Sequence, residues 1–320
     1  MSDIYQPRRL PVPDEANGMR LDRFLSKWFP ARSRSSLARS IKSGRVTLNG
    51  GGALRSSTTL RTGQVLLISI PGIAPTTPPP PLPPVLFEDD QLIALNKPAG
   101  MLCHPAGGDF KWAIIGLART HWKSTEIDLA HRLDRETSGV LLLTKTALSN
   151  IRIKAMFKSG QIKKRYTALC RGDLSWNKRV IDTPIGPEGG KIRIKMAARD
   201  DGLSAITTAT VLERSSSGMT MVSCNIGSGR THQIRVHLDH IGASIIGDKL
   251  YGVPPDVFLD AWEHGVGDSV IKRAGAPRQA LHASELIIPT SSDHHIKIES
   301  ALPADMRRWW ATPETLPFDR

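Results

Sequence analysis

The sequence contains few cysteines, and their spacing shows no pairing pattern. Three cysteines occur in 320 residues, Cys103, Cys170 and Cys224, and there is no C-x-x-C motif. An odd number of widely separated cysteines predicts neither a disulfide framework nor a zinc site. Because disulfides are rare in reducing compartments, this composition favours the cytoplasm.

Long hydrophobic segments are also missing. No apolar run approaches the roughly 20 residues that a membrane-spanning helix requires. The first residues, Met1 to Arg9, contain no apolar core of a secretory signal. Hydrophobic residues nevertheless make up 40% of the composition, which suits a globular protein. We therefore expect a cytoplasmic protein without a membrane partner, and no pattern indicates more than a monomer.

Acidic residues are scarce in two parts of the chain. The whole sequence carries 43 Lys and Arg against 30 Asp and Glu, a formal charge of +13. Residues 19–70 contain ten basic side chains and one acid, a net charge of +9. No acid occurs between Thr137 and Gly172. Positive charge concentrated in this way predicts a polyanionic partner whose phosphates it contacts.

Proline marks the main domain boundary. Eight of the fourteen residues from Pro71 to Pro84 are proline, which is typical of a semi-rigid polyproline linker. A proline-rich ligand for the groove of a partner is the other interpretation. We predict a flexible arm (1–18), a small domain (19–70), a linker (71–84), a large domain (85–312) and a C-terminal tail (313–320).

The small domain is predicted to contain two short helices packed on a small sheet. The apolar stripe of the first helix consists of Leu21, Phe24, Leu25 and Trp28. The second helix is predicted to begin after Ser33 as N-cap and to stop at Gly44, with Leu37 and Ile41 buried. Residues 45–48 and 65–70 are predicted strands, the first closed by an Asn49-Gly50 turn.

The large domain shows both strand and helix patterns. Strands are predicted within 85–97, at 163–172 and in a hairpin formed by 207–212 and 219–226, and a helix within 111–122. A helix over 147–158 is expected to bury Ile151, Ala155 and Met156. A helix following Gly229 is expected to bury Ile234 and Leu238 and to expose Arg230 and Arg235. Residues 253–278 are predicted to be an irregular insertion.

One acid stands out in the large domain. Asp134 lies between Arg132 and Arg135 in the segment His131–Gly139, directly before a turn that leads into an apolar strand. An ordinary surface ion pair is one interpretation, and such pairs contribute about 0–1 kcal/mol. The other is that this segment holds a single carboxylate ionised and directed at a substrate.

Metal and nucleotide sites are not predicted. His232 and His237 lie five residues apart without a recognisable third ligand, so a zinc site is not expected. The glycines of Gly227-Ser228-Gly229 lack the G-K-[ST] sequence and the βαβ frame of a phosphate-binding loop, so no nucleotide cofactor is expected.

Tyr166 is one of three tyrosines in the chain and follows Lys163-Lys164-Arg165. A tyrosine among cations can fill core with its hydroxyl at the rim. It can equally provide a platform on which a base stacks. The pattern alone leaves both interpretations open.

The small domain resembles the S4-like RNA-binding domain. The resemblance rests on Met19–Leu25, on Ser35–Ala38 and on the segment from Ile41 to Gly50, which occur in that order. In that family the second helix and the adjoining loop face structured RNA. The resemblance therefore implies phosphate contacts for Arg32, Arg34, Arg39, Lys42 and Arg45.

The large domain resembles the RluA-type family of RNA pseudouridine synthases over about residues 85–310. The resemblance is carried by His131–Gly139, by Lys163–Tyr166, by Gly229–Leu238 and by Leu281–Ala283. It implies an α+β fold built on a large mixed, mainly antiparallel sheet with flanking helices.

The resemblance also implies roles for four residues. Asp134 matches the catalytic aspartate and Tyr166 the tyrosine that packs on the target uracil. Arg230 matches the arginine that pairs with the aspartate. Arg132 matches the arginine that can enter the RNA stack where the base has left.

The implied activity is the isomerisation of uridine to pseudouridine in structured RNA, above all large-subunit ribosomal RNA, without a cofactor. Whether the aspartate attacks the sugar, attacks the ring or removes a ribose proton stays open. The alternative function is an RNA-binding ribosome-assembly factor with an inactive synthase domain. Hydrolysis of a glycosidic bond by two carboxylates would need a second directed acid, and no motif directs Glu136 in that way.

Overall fold

A computed structural model describes residues 8–29, 32–48, 54–70, 79–104, 113–290, 293–312 and 316. The chain divides into two compact units, Met1–Pro81 with His104–Leu117 and Leu82–Cys103 with Ala118–Arg320. The division falls within the predicted linker 71–84, of which residues 71–78 lie outside the described residues. The predicted Asn49-Gly50 turn and, apart from Leu316, the tail 313–320 also lie outside them.

The smaller unit is a three-stranded antiparallel sheet with two helices. Its elements are β1 (Arg8–Pro11), α1 (Leu21–Trp28), α2 (Arg34–Lys42), β2 (Val46–Leu48) and β3 (Val65–Ile68). The strand order is β1-β3-β2. Two short helices on a small sheet were predicted from the sequence, and the structure contains both.

Local sequence signals explain the helices of this unit. The Ser33 side chain accepts a hydrogen bond from the backbone N–H of Ser36 and caps α2. Gly44 follows α2 with φ +72°, a conformation that favours glycine. Leu37 and Ile41 are buried, as predicted. Trp28, predicted to complete the apolar stripe of α1, is instead 46% exposed because it lies in the last turn of the helix.

Residues 8–18, within the segment predicted as a flexible arm, contain β1 and pack into the smaller unit. β1 pairs with β3, with Leu10 opposite Leu66, and Leu10 and Val12 are buried in the core of the unit. β1 contains Pro11 and lies at the edge of the sheet, where a proline is tolerated. Residues 1–7 lie outside the described part of the chain.

The larger unit contains most of the secondary structure. Its strands are β4 (Val85–Glu88), β5 (Leu92–Lys97), β6 (Asp128–Leu129), β7 (Ser138–Thr144), β8 (Lys163–Arg171), β9 (Lys178–Asp182), β10 (Ile185–Pro187), β11 (Met196–Ala198), β12 (Ile206–Arg214), β13 (Met219–Ile226), β14 (Leu281–Pro289) and β15 (His295–Glu299). The helices after β5 are α3 (Ile114–His121), of which residues 114–117 belong to the smaller unit, α4 (Ala147–Lys158), α5 (Gln233–His240), α6 (Pro255–His264), α7 (Asp268–Ala274) and α8 (Ala304–Ala311).

One large mixed sheet organises this unit. Its strand order is β4-β5-β7-β14-β8-β13-β12-β9, with β6 added to β7 and β15 added to β14. Only the pairing of β14 with β7 is parallel among the described strands. The predicted mixed, mainly antiparallel sheet with flanking helices is therefore confirmed.

The predicted burial of α4 was correct for Met156 and wrong for Ile151 and Ala155. Ile153 and Met156 face the core, whereas Ile151 is 68% exposed and Ala155 is also exposed. A polar side chain sets the orientation of the helix: the buried Asn150 amide donates to the Leu129 carbonyl and to the Thr144 hydroxyl. A pattern of hydrophobic residues does not reveal that a buried, hydrogen-bonded asparagine orients the helix.

Residues 253–278, predicted to be irregular, contain α6 and α7. The two helices share a small core of Val257, Val270 and Ala274. Gly275 ends α7 with φ +90°. In α6 the apolar residues Val257, Phe258, Ala261 and Trp262 recur at helical spacing, a signal that the prediction overlooked.

We predict that Leu10→Ala destabilises the smaller unit by about 2–5 kcal/mol, because it removes a buried side chain from the core. The matched control is Arg9→Ala, which changes an exposed neighbour in the same strand. Urea unfolding, monitored by hydrogen exchange of the amides in α1 and α2, measures the difference in stability between the two variants. Equal stability of the two variants would contradict the structural role of β1.

Candidate active site

Asp134 lies in the loop between β6 and β7, at one end of the large sheet. The loop turns at this residue, because the Thr137 N–H donates to the Asp134 carbonyl over 3.1 Å. Gly139 follows in β7 with φ +110°, and a Cβ at this position would overlap the backbone of Ala283 in β14. The glycine is therefore required for the strand that begins immediately after the loop.

A buried lysine holds the backbone of this loop. Lys97, at the end of β5, has no exposed surface, and its Nζ donates to the carbonyls of Pro98 (2.9 Å), Arg135 (3.0 Å) and Thr137 (2.8 Å). Burial lowers the pKa of Lys97 to about 8. Three carbonyl acceptors compensate the ammonium for the loss of water and fix the loop on both sides of Glu136.

The side chains of the loop are held as well. The Glu136 carboxylate accepts hydrogen bonds from Lys249 Nζ at 2.9 and 2.8 Å and from the Gln279 N–H at 3.2 Å. The Gln279 amide donates to the Thr137 hydroxyl at 2.7 Å. These contacts engage the side chains of Glu136 and Thr137, whereas the Asp134 side chain faces a cleft.

Asp134 shares one guanidinium with a second carboxylate. Arg235 Nη1 donates to Asp134 Oδ2 at 2.8 Å, while its Nε and Nη2 form a bidentate pair with Asp248 at 2.6 and 2.9 Å. Arg235 is 6% exposed and Asp248 is 1% exposed. The Asp134 side chain is 33% exposed, so one acid of this triad reaches solvent.

The electrostatic environment keeps Asp134 ionised. Burial opposes ionisation, but the charge and hydrogen bond of Arg235 outweigh it, so the pKa of Asp134 lies below the ordinary aspartate value. Arg235 stays protonated because, although burial opposes its charge, the adjacent carboxylates raise its pKa. The site therefore presents a carboxylate with a fixed orientation.

The predicted partner of the aspartate was wrong. Arg230, assigned to that pair by resemblance, is exposed, and its Nε donates to the Ser204 carbonyl. Arg235, expected to point outward from α5, makes the ion pair instead. Its burial is possible because two carboxylates and the Tyr251 ring, 5.0 Å from the guanidinium carbon, surround it.

The loop before α5 is fixed by buried polar groups. Gln233 accepts hydrogen bonds from the Ser228 hydroxyl (2.8 Å) and the Arg230 N–H (3.1 Å), and its amide donates to the Ile206 carbonyl. Lys164 Nζ donates to the Ser228 carbonyl at 2.6 Å, and burial lowers its pKa to about 8. Residues 228–230 therefore lie at a defined position beside the acid.

A small cleft opens at Asp134. Tyr166, Arg132 and Arg230 line it, so three residues predicted for the substrate site border the same space as the acid. Tyr166 lies in the middle of the sheet, between Cys224 and Ala283, and is 7% exposed. Burial, together with the nearby Asp134 charge, raises the pKa of Tyr166, so its phenol is neutral.

The basic residues predicted to contact RNA lie on or next to α2. Arg34, Arg39 and Lys42 are exposed, whereas Arg32 and Arg45 are partly buried. In the part of the chain that the structure describes, no group of three or more His, Cys, Asp or Glu side chains is arranged to bind a metal ion. Within the same residues, no helix is long and apolar enough to cross a membrane.

Sequence reasoning missed the residues that support the acid. Lys97, Arg235 and Asp248 act from three separate segments, and ion pairs between distant segments leave no local pattern. One signal was present for Arg235: it lies between Ile234 and Val236, both of which are buried, so that part of α5 is surrounded by core.

Comparisons with known proteins show the family of the chain. A family model described as RNA pseudouridylate synthase matches residues 91–240, and an S4 domain model matches residues 19–66. Ribosomal large subunit pseudouridine synthase D of Xanthomonas campestris pv. campestris is 34% identical, over 94% of this chain and 91% of that protein. The protein of the same name from Pseudomonas aeruginosa is 33% identical, with 95% of each chain covered.

The fold also has counterparts among solved structures. Human RNA Pseudouridylate Synthase Domain Containing 1 superposes with a TM-score of 0.55 at 22% identity, covering 72% of this chain and 86% of that chain. Human RNA Pseudouridylate Synthase Domain Containing 4 gives a TM-score of 0.53 at 24% identity, covering 70% and 90%. At these identities the likeness concerns the fold alone.

We predict that Arg235→Lys lowers the rate of the reaction at this site about 10- to 100-fold. A lysine cannot contact both carboxylates as the guanidinium does, and each lost charged hydrogen bond is worth about 1.5–3 kcal/mol. The weaker partner raises the pKa of Asp134, so activity is lost at a higher pH on the acid side. The pH–rate profile measures this shift. Arg230→Lys should leave the low-pH side of the pH–rate profile unchanged. An equal shift in both variants would contradict the pairing of Asp134 with Arg235.

Proposed function

The chain belongs to the RNA pseudouridylate synthase family, and on that premise we propose that Asp134 is its catalytic residue and large-subunit ribosomal RNA its substrate. The chain is an RNA pseudouridine synthase, an isomerase. The observation that carries the assignment of Asp134 is its ion pair with Arg235 at the cleft, where the acid is ionised and still one-third exposed.

The reaction requires little more than one carboxylate. Pseudouridine forms when the bond from ribose to the ring nitrogen breaks and a bond from ribose to carbon 5 of the same base forms. No group is imported and no electrons are gained or lost overall. An ionised aspartate can attack the sugar or the ring, or remove a ribose proton. The contacts of Asp134 are compatible with each of these routes.

The neighbours of Asp134 suit a base that has left its helix. A base inside a duplex is out of reach and must be flipped out, at a cost of a few kcal/mol. Stacking on an aromatic ring is worth roughly 1–3 kcal/mol and offsets part of that cost. Tyr166 lines the cleft and is our candidate for that ring, and Arg132 is the candidate for filling the vacated position in the RNA stack.

Hydrolysis of a glycosidic bond is not favoured by these contacts. Such enzymes use two directed carboxylates. Glu136, the acid nearest to Asp134 in sequence, is engaged by Lys249 and by the Gln279 N–H. Its carboxylate is therefore committed to holding the loop.

The names of the relatives support the choice of RNA. The proteins from Xanthomonas campestris and Pseudomonas aeruginosa are called ribosomal large subunit pseudouridine synthases, and each aligns with more than nine-tenths of this chain. The S4 domain match supplies a second RNA-binding unit ahead of the catalytic one. We propose that Arg32, Arg34, Arg39, Lys42 and Arg45 contact phosphates of the same RNA.

Asp134→Asn should abolish pseudouridine formation in transcribed large-subunit ribosomal RNA, because the amide is neither a nucleophile nor a base. The matched control, Asp90→Asn, alters an exposed acid in the turn between β4 and β5 and should retain full activity. Nucleotide analysis of the modified RNA measures both.

RNA binding by Asp134→Asn should be retained. An active Asp134→Asn protein would contradict the assignment of the catalytic residue. A wild-type protein that binds this RNA without making pseudouridine would instead favour the alternative function, an assembly factor with an idle site.

Replacing Arg34, Arg39 and Lys42 together with alanine should weaken RNA binding and its dependence on salt. Each phosphate contact contributes about 0.7–0.9 to the slope of log K against log salt concentration, so the slope should decrease by about 2. The control removes the same charge at Arg9, Arg55 and Arg61, which lie outside α2. Equal slopes for the two triple variants would contradict a specific role for α2.

A further inference from the structure

His232 is a second polar group at the acid that the proposed mechanism has not used. It precedes α5 in the left-handed backbone conformation, with φ +58°, where side chains other than glycine are uncommon. The ring lines the cleft, and its Nε2 lies 4.0 Å from Asp134 Oδ2. Its side chain is 11% exposed, so a strained backbone holds a nearly buried ring at the reacting position.

The hydrogen bonds of the ring determine which nitrogen carries the proton. Tyr251 OH lies 2.9 Å from His232 Nδ1 and already accepts a hydrogen bond from the Met196 N–H at 3.0 Å. This arrangement favours the tautomer in which the hydroxyl donates its proton to Nδ1. This leaves the ring proton on Nε2, the nitrogen that faces the cleft.

The surrounding charges favour the same tautomer. A lone pair on Nε2 would point toward the negative charge of Asp134, whereas an N–H there is attracted to it. Burial, together with the charge of Arg235, lowers the pKa of His232 to about 4, so the ring is neutral at physiological pH. Asp248 and Tyr251 are the other titratable groups close to the ring.

We propose that His232 is a neutral hydrogen-bond donor that binds a carbonyl oxygen of the target uracil through Nε2–H. This assignment rests on the proposed function. At 4.0 Å the N–H does not make a short hydrogen bond with Asp134, so it is available to a base that enters the cleft alongside the two side chains. Tyr251 and the Met196 N–H are the groups that hold the ring in this orientation.

The donor has a chemical role in each route that breaks the bond between ribose and base. If the aspartate attacks the ribose or removes a ribose proton, the leaving uracil carries negative charge on its oxygens. If it attacks the ring, the charge develops on a carbonyl oxygen conjugated with the attacked carbon. A positioned donor stabilises that charge more than it stabilises the neutral base, which is the condition for catalysis.

Nitrogen NMR of the histidine rings in the full chain tests the tautomer directly. The wild type should show His232 as a neutral ring protonated on Nε2 at pH 7. In Tyr251→Phe the proton should redistribute between the two nitrogens, because the donor to Nδ1 is gone. A wild-type ring protonated on Nδ1, or doubly protonated at pH 7, would overturn the proposal.

Single-turnover kinetics on saturating transcribed ribosomal RNA test the contact with the base. His232→Ala should lower the rate about 10²- to 10³-fold, the usual effect of removing one such donor, with little change in RNA affinity. His232→Gln, whose amide can donate from a similar position, should recover part of the rate. The control His240→Ala, at the exposed end of the same helix, should match the wild type.

Target RNA with 2-thiouridine or 4-thiouridine at the modified position identifies the oxygen. Sulfur is a poor acceptor, so one of the two substitutions should slow the wild type and have no further effect on His232→Ala. An alanine variant within about threefold of the wild-type rate, or a glutamine variant as slow as alanine, would overturn the proposal. If the wild-type protein forms no pseudouridine, the proposed function is contradicted instead. The NMR experiment then still tests the tautomer of His232 independently.

Discussion

A single buried arginine determines what the acid at this site can do. Arg235 is held by a bidentate pair with the fully buried Asp248, which leaves one guanidinium nitrogen for Asp134. Removing one member of such a buried pair leaves an uncompensated charge, typically at a cost of 3–5 kcal/mol. Folding of the larger unit and ionisation of Asp134 therefore depend on the same side chain.

The other buried cations serve the same two loops. Among the described residues, the buried Lys and Arg side chains are Lys97, Lys164, Arg235, Lys249 and Arg278. Each contacts either the loop of Asp134 to Thr137 or the loop before α5. Burying five cations is costly unless each is paired, so the architecture concentrates its polar interior around one end of the sheet, where the cleft opens.

The sequence predicted the strands and helices with clear local signals, and the acid itself. Ser33 and Gly44 mark both ends of α2, and the hairpin β12–β13 follows from alternation around a serine- and glycine-containing turn. Asp134 was identified because its flanking residues carry a family pattern. Its ionisation partner was not, since the pairing of Arg235 with an acid 101 positions away is a tertiary property.

Several of the errors share one physical origin. Buried polar groups such as Asn150 and Arg235 contradict a simple inward-apolar pattern, and short edge elements such as β1 have too few residues to show a period. In both cases the three-dimensional partner, a carbonyl, a carboxylate or a neighbouring strand, decides the structure.

NMR titration of the Asp134 carboxyl carbon in the wild-type protein tests the central claim most directly. The account predicts that this carboxyl titrates below the ordinary aspartate value of 3.8, because burial is outweighed by the charge of Arg235. A carboxyl that takes up its proton at or above that value would contradict the claim that Arg235 keeps Asp134, the proposed catalytic acid, ionised.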